Sequence, residues 1–94
     1  MNDLTGIQRD MLYIIHSIEN PSGVEIQTAI EAHYDEEVSH GIIYPNLDKL
    51  VDAGLVARGE YNRRTNKYEL TDRGRQTIRD RLRWEQRHAT DLIE

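Results

Sequence analysis

The stretch from Ile42 to Gly74 most constrains what this 94-residue chain can fold into. In Ile42-Ile43-Tyr44-Pro45-Asn46-Leu47-Asp48-Lys49-Leu50-Val51-Asp52-Ala53-Gly54, the residues Ile43, Leu47, Leu50 and Val51 share one side of a helix. Gly54 suits the left-handed position just past its end. Proline inside a helix clashes with the carbonyl four residues back, here that of Gly41. The pair therefore predicts a helix start near Ser39 to Gly41. Val56 to Tyr61 and Lys67 to Leu70 read as two strands, joined by a basic tip at Asn62 to Asn66, with Gly59 a candidate bulge. Thr71 then caps a new helix from about Asp72.

Two helices precede this unit. Thr5-x-x-Gln8 is a capping-box pattern that starts the first. Leu4, Ile7, Met11, Ile14, Ile15 and Ile18 form its apolar stripe. Leu12 lies about 100° off that stripe and is free for a second contact. Asn20-Pro21 ends the helix, because the residue before proline avoids the α region. Ser22-x-x-Glu25 starts the second helix, whose apolar face is Val24, Ile26, Ala29, Ile30 and Tyr34. Asp35-Glu36-Glu37 reads as a solvated turn. In the last helix, Ile78, Leu82, Glu85, Ala89 and Leu92 follow the spacing of a coiled-coil seam with one polar member. Trp84 lies about 120° off that seam, placed to pack on another element such as the first helix of a partner chain. The order predicts a mainly α fold with a small β-hairpin (α+β), a winged helix-turn-helix. Residues 1–94 form one domain, with helix-turn-helix core and wing at 1–70 and a dimerisation helix at 71–94.

Only 37% of the residues are hydrophobic, and the chain has neither Phe nor Cys. A core this thin often leans on a partner subunit, a metal or disulfides, and the absence of Cys excludes the last. No apolar run reaches membrane-spanning length and the N-terminus lacks a signal-peptide pattern, so a soluble intracellular protein is expected. The net charge of −5 opposes a polyanion partner until its distribution is considered. Residues 1–57 hold two basic and ten acidic residues, whereas residues 58–94 hold ten basic and seven acidic ones. Such asymmetry suits a cationic face on an acidic body. A solvated, salt-bridged last helix is the alternative use of those arginines.

The side of the third helix away from its apolar stripe carries Gly41, Ile42, Pro45, Lys49 and, at the edge, Asn46, with Ser39 and His40 at the start. A helix N-terminus offers free N–H groups and partial positive charge to a phosphate. Ser39, His40 and the Tyr44 hydroxyl can add hydrogen bonds there. Asn46 can pair with adenine, Ile42 can touch a thymine methyl, and Lys49 can reach phosphate or guanine. Asp48 and Asp52 would repel phosphates, which confines the expected footprint to the first two turns. Arg63, Arg64, Asn66 and Lys67 at the hairpin tip suit a DNA backbone or narrow groove. Asn46 is equally readable as a surface polar residue, and the tip as a merely soluble turn. His33, Asp35, Glu36, Glu37 and His40 lie close in sequence but match no ligand spacing, so a metal-responsive regulator is a weaker reading. No nucleophile elbow, phosphate loop or His-Glu-x-x-His motif supports an enzyme. A winged helix that docks proteins without touching DNA is the other alternative.

The segment Ile43-Tyr44-Pro45-Asn46-Leu47-Asp48-Lys49-Leu50-Val51-Asp52-Ala53-Gly54-Leu55-Val56 resembles the recognition-helix motif of PadR-family transcriptional regulators. Leu70-Thr71-x-x-Gly74 is similar to that family's strand-to-helix junction, and Ser22-Gly23-Val24-Glu25-Ile26 to its second-helix start. The Arg-rich, acidic composition resembles haloarchaeal members. The resemblance implies a cytoplasmic homodimer built through the first and last helices, usually a repressor of transcription. It implies that Tyr44 and the residues before it face DNA, with Arg63 and Arg64 as the wing contact. Leu12, Ile78, Leu82, Trp84, Glu85, Ala89 and Leu92 are the expected dimer contacts. No cofactor is expected, and the short last helix speaks against a large effector pocket. An acidic dimer in a salty cytoplasm cannot rely on counterion release, so a shallow salt dependence of DNA affinity is expected.

Overall fold

Side-chain caps set where the helices of this chain begin. The computed structural model describes residues 3–92; residues 1, 2, 93 and 94, which the expected domain includes, lie outside the described residues. Thr5 Oγ1 accepts from the Gln8 N–H at 3.3 Å and Gln8 Oε1 accepts from the Thr5 N–H at 3.1 Å, which starts α1 (Gly6–Ser17). Ser22 and Glu25 form the same reciprocal pair, at 3.1 and 3.0 Å, ahead of α2 (Gly23–Tyr34). Next come α3 (His40–Asp52), β1 (Val56–Asn62), β2 (Thr65–Leu70), α4 (Asp72–Ala89) and a 3₁₀ turn at Thr90–Leu92. Four helices with one antiparallel hairpin in this order make the expected winged helix-turn-helix.

The first helix is shorter than Asn20-Pro21 implied. It ends at Ser17, Ile18 is already extended, and Asn20 turns the chain at a φ of 46°. Asn tolerates that left-handed conformation better than most side chains do. Ile18 is therefore a cap residue rather than part of the stripe.

The core draws on every major element. Met11, Leu12 and Ile15 come from α1, Ile26 and Ile30 from α2, and Ile43, Leu47 and Leu50 from α3. Val38, Leu55, Val56, Tyr68, Leu70 and Ile78 complete it. Two expectations change here. Leu12, assigned to a subunit contact, is wholly buried within the single chain. The reason is that α1 packs on α2, α3, β2 and α4 at once, so a helix read as one-sided is covered on several sides. Val24, assigned to the core face of α2, is 58% exposed.

The α3-to-α4 connection is closed by backbone bonds. Gly54 has a φ of 76°, which lets its N–H reach the Val51 carbonyl at 2.9 Å and the Leu55 N–H reach the Leu50 carbonyl at 3.1 Å. That is the Schellman arrangement expected of a C′ glycine. Thr71 then donates its N–H to the Leu55 carbonyl and its hydroxyl to the Gly54 carbonyl, while its Oγ1 accepts from the Gly74 N–H. Gly74 sits so close under the Leu55 carbonyl that a Cβ there would overlap its oxygen. The Leu-Thr-x-x-Gly pattern thus has a steric reason.

The wing is longer and its turn tighter than the sequence suggested. Only Arg63 and Arg64 separate the strands, and Asn62 Oδ1 accepts from the Arg64 N–H at 2.9 Å. Gly59 pairs regularly with Lys67; the register breaks between Glu60 and Asn62, so Tyr61 is the extra residue rather than Gly59. Two-residue hairpin loops normally need positive φ in the turn. Neither arginine has it, and the bulge beside them takes up the difference in twist. The hairpin base is tied to the start of α2 by the Tyr68 N–H bond to the Pro21 carbonyl at 2.9 Å and by the Ser22–Lys67 bridge.

Between α1 and α2, Tyr34 donates its hydroxyl to Asp10 Oδ2 at 2.5 Å. Burial first, and the Asp10 carboxylate second, push the Tyr34 pKa from 10.0 up to about 12.

Gly74→Ala should lower stability by about 3 kcal/mol in denaturant unfolding, because backbone must move to admit the methyl. Gly6→Ala, where a Cβ meets nothing within 4 Å, should leave it nearly unchanged. Equal effects would contradict the steric reading. Because the folded-state pKa of Tyr34 is raised, its contribution to stability is complete below pH 10.0 and is lost as pH rises toward about 12. Ultraviolet titration should show a tyrosine ionisation near pH 12 that Tyr34→Phe removes.

Candidate nucleic-acid interface

Burying Ile43, Leu47 and Leu50 leaves the opposite side of α3 in solvent. Ser39, His40, Gly41, Ile42, Pro45 and Lys49 are all exposed there. The Ser39 side chain makes no capping bond, whereas Thr5, Ser22 and Thr71 each accept one. The start of α3 therefore presents an uncapped hydroxyl beside its first N–H groups. His40 stands edge-on to Tyr44, with ring centroids 5.4 Å apart.

Tyr44 is half-buried. Its ring lies over Gly23, where a Cβ would come within 2.6 Å of it. Its hydroxyl end, the start of α2 and the wing enclose a shallow groove of about 290 Å³. Ser22, Gly23, Val24 and Thr65 line that groove with Tyr44, Arg64 and Asn66. Sequence reasoning missed the first four. Only Ser22-Gly23 pointed there, through the small residue that admits the ring.

Arg63 and Arg64 are exposed at the tip and take no ion pair among the described residues. Asn66 is exposed beside them. Lys67 differs from the expectation of a cation held out at the tip. Its ammonium lies 3.5 Å from Glu25 Oε1 and 4.9 Å from the Tyr61 ring centroid, turned back onto α2. Backbone and hydroxyl bonds from Ser22, followed by the Lys67 charge, hold the Glu25 carboxyl below its usual range.

Asn46, expected to pair with adenine, is engaged within the protein. Its Oδ1 accepts from Gln8 Nε2 at 2.9 Å and its Nδ2 donates to the Ile42 carbonyl at 2.8 Å. Each end of the amide is engaged once within the protein, which leaves one N–H and one oxygen lone pair uncommitted. Asp48, which was expected to repel phosphates, is bound by Arg58 Nη1 at 2.7 Å. That bond pairs the carboxylate with a cation and ties β1 to α3.

The α1–α4 surface shares no residue with the groove beside Tyr44. Ile78 is buried in the chain's own core, while Leu82, Trp84 and Leu92 are exposed. Glu85 is exposed and Ala89 half-buried. Glu85 Oε1 accepts from Arg81 Nε at 3.1 Å, and Trp84 stacks on His88 at 4.2 Å with the Arg81 guanidinium over its ring. A mainly apolar groove of about 400 Å³ runs between the helices, lined by Tyr13, His16, Ile78 and Leu82 and flanked by Arg75 and Arg79. Beside it the Tyr13 hydroxyl is buried without a hydrogen-bond partner. Burial first, then the Glu85 carboxylate, raise its pKa. Among the described residues, no three His, Cys, Asp or Glu side chains converge to hold a metal, and no helix is long and apolar enough to cross a membrane.

Comparison with known proteins agrees with this geometry. A family model described as the transcriptional regulator PadR-like family matches residues 11–80. The chain is similar to RosR of H. salinarum, with 42% identity and a TM-score of 0.87 over 92% of this chain and 77% of that one. It is similar to RosR in its complex with S1, with 41% identity and a TM-score of 0.88 over 93% of this chain and 77% of that one. The fold is also that of Streptococcus pneumoniae FabT in complex with DNA, at 19% identity and a TM-score of 0.76, covering 97% of this chain and 61% of that one. No curated protein matches the sequence.

Gly23→Ala should displace the Tyr44 ring at a cost of about 1 kcal/mol, less than a clash with backbone, because a ring can swing. Tyr44 ring resonances in NMR spectra should shift; unchanged resonances would contradict the ring's seat on Gly23.

Proposed function

Because the chain belongs to the PadR-like family of transcriptional regulators, we propose that it binds double-stranded DNA sequence-specifically as a homodimer and represses transcription in the cytoplasm of a salt-rich cell. The observation that carries this reading is a shared edge. The exposed first turns of α3 and the Arg63-Arg64 tip border one groove, through Tyr44 on one side and Arg64 on the other. Ser39, His40 and Gly41 receive a phosphate at the uncapped helix start. Ile42 contacts a thymine methyl, Lys49 a phosphate or guanine, and Tyr44 a backbone oxygen. Arg63, Arg64 and Asn66 contact the backbone or minor groove next to it.

The dimer uses the α1–α4 surface. Leu82, Trp84, Ala89 and Leu92 supply apolar area, and a partner subunit supplies the acceptor that the Tyr13 hydroxyl lacks. Glu85 stays at the rim of that contact. Two recognition helices then meet half-sites about 10 base pairs apart.

Net charge of −5 on each subunit weakens the ordinary drive from counterion release. Cations taken up between acidic side chains and phosphates offset the counterions released at Arg63 and Arg64. Log affinity plotted against log potassium concentration should therefore have a shallow slope, and a steep negative slope would contradict it.

In mobility-shift assays, replacing Arg63 and Arg64 together by Ala should weaken binding of every sequence by roughly tenfold, without altering base preference. If neither the unmodified chain nor this variant retards any genomic fragment at cellular ionic strength, the protein-docking reading replaces this one. Solution scattering should give the mass of two chains; a single-chain mass would contradict the dimer.

A further inference from the structure

Gln8 is the one buried polar side chain among the described residues, with 6% exposure. Its two polar ends do different things. The Oε1 closes the capping box on Thr5, and the Nε2 reaches across to α3. There it meets Asn46, whose other end bonds the Ile42 carbonyl. Pro45, immediately before, has no N–H and leaves the Gly41 carbonyl without its helical donor. The turn of α3 that faces outward is therefore interrupted in its own ladder. It is braced from α1 by a side-chain relay that ends on the backbone of Ile42.

We infer that Gln8 and Asn46 are a positioning pair that sets the angle between α1 and the exposed first turns of α3; the inference rests on the DNA-binding reading above. In a dimer joined through α1 and α4, the distance between two α3 helices is transmitted through α1. The Gln8–Asn46 bond is a polar link on that path, and its direction is fixed. Only the Gln8 amide nitrogen can donate while its oxygen serves Thr5, and only the Asn46 oxygen can accept while its nitrogen serves Ile42. Apolar contacts within the core shared by α1 and α3 allow sliding, whereas a near-buried hydrogen bond penalises it. Asn46 thus acts on base recognition through the pose of α3 and not by touching a base.

The test is a double-mutant cycle on DNA affinity. A random-sequence duplex pool is enriched on the unmodified full chain at molar potassium chloride, and the winning duplex is remade with every single base-pair change. Gln8→Met and Asn46→Leu keep shape but remove the bond. Gln8→Glu keeps an acceptor for the Thr5 N–H and replaces the donor to Asn46 by a carboxylate oxygen, so it breaks the link while retaining the cap that starts the first helix. All affinities are measured where unfolding curves show each variant fully folded. Positioning predicts that each single change weakens binding to every duplex by roughly tenfold, with base preference unchanged, and that the double variant is no weaker than the worse single one. Three results would overturn it: loss of preference at one base pair in Asn46→Leu while both Gln8 variants bind like the parent, parental affinity in all variants, or additive losses. Failure of the unmodified chain to enrich any sequence would instead remove the DNA-binding reading itself, and the positioning role with it.

Discussion

Everything on the outward side of this molecule depends on how completely one side of α3 is buried. Ile43, Leu47 and Leu50 have no exposed surface, and they meet α1, α2 and the wing in one contiguous cluster. Burial of three aliphatic side chains contributes on the order of 5–9 kcal/mol. A rotation of α3 about its axis would forfeit much of that. The exposed residues Ser39 to Ile42 and Lys49 are thus oriented by what lies behind them, not by any contact they make themselves. Gly54 and the Thr71 node then fix where the wing departs, so the tip arginines inherit their position from the same core.

Among the described residues, ion pairs leave two of the wing's four cations free, Arg63 and Arg64, and also engage cations of α4. Arg58 is bound by Asp48, Lys67 by Glu25, Arg75 by Asp72 and Arg81 by Glu85. Several arginines of the basic C-terminal half therefore serve the fold or a helix surface, as the salt-bridged reading of the last helix expected. Exposed pairs of this kind add little stability. Their effect is to concentrate the uncommitted positive charge of the wing into two side chains at its tip. An acidic protein with a small cationic point has less electrostatic attraction to lose as salt rises than one with a broad basic face.

The elements were legible in the sequence because their signals are local. Thr5-x-x-Gln8, Ser22-x-x-Glu25, Gly54 and Thr71 each mark a boundary through bonds that span three or four residues, and all four do so in the structure. What stayed hidden depends on distant partners. Periodicity describes one stripe of a helix and says nothing of how many neighbours surround it, so Leu12 and Val24 exchanged places between surface and core. Asn46 finds Gln8 across 38 positions, and Lys67 finds Glu25 on another element, pairings that no spacing rule contains. The bulge at Tyr61 arises from the geometry of a two-residue turn, and the more permissive glycine nearby drew the expectation instead. The PadR-like family was legible from the Tyr-Pro helix and the Leu-Thr-x-x-Gly junction.

On the reading proposed above, the first turns of α3 and the wing tip form one surface for duplex DNA. Amide NMR spectra of the labelled chain, recorded with and without an enriched duplex at high potassium, would locate that surface residue by residue. Shifts should concentrate at Ser39 to Asn46 and at Asn62 to Asn66, with the α1–α4 surface nearly silent. Shifts confined to α4, or none at any duplex concentration, would contradict it.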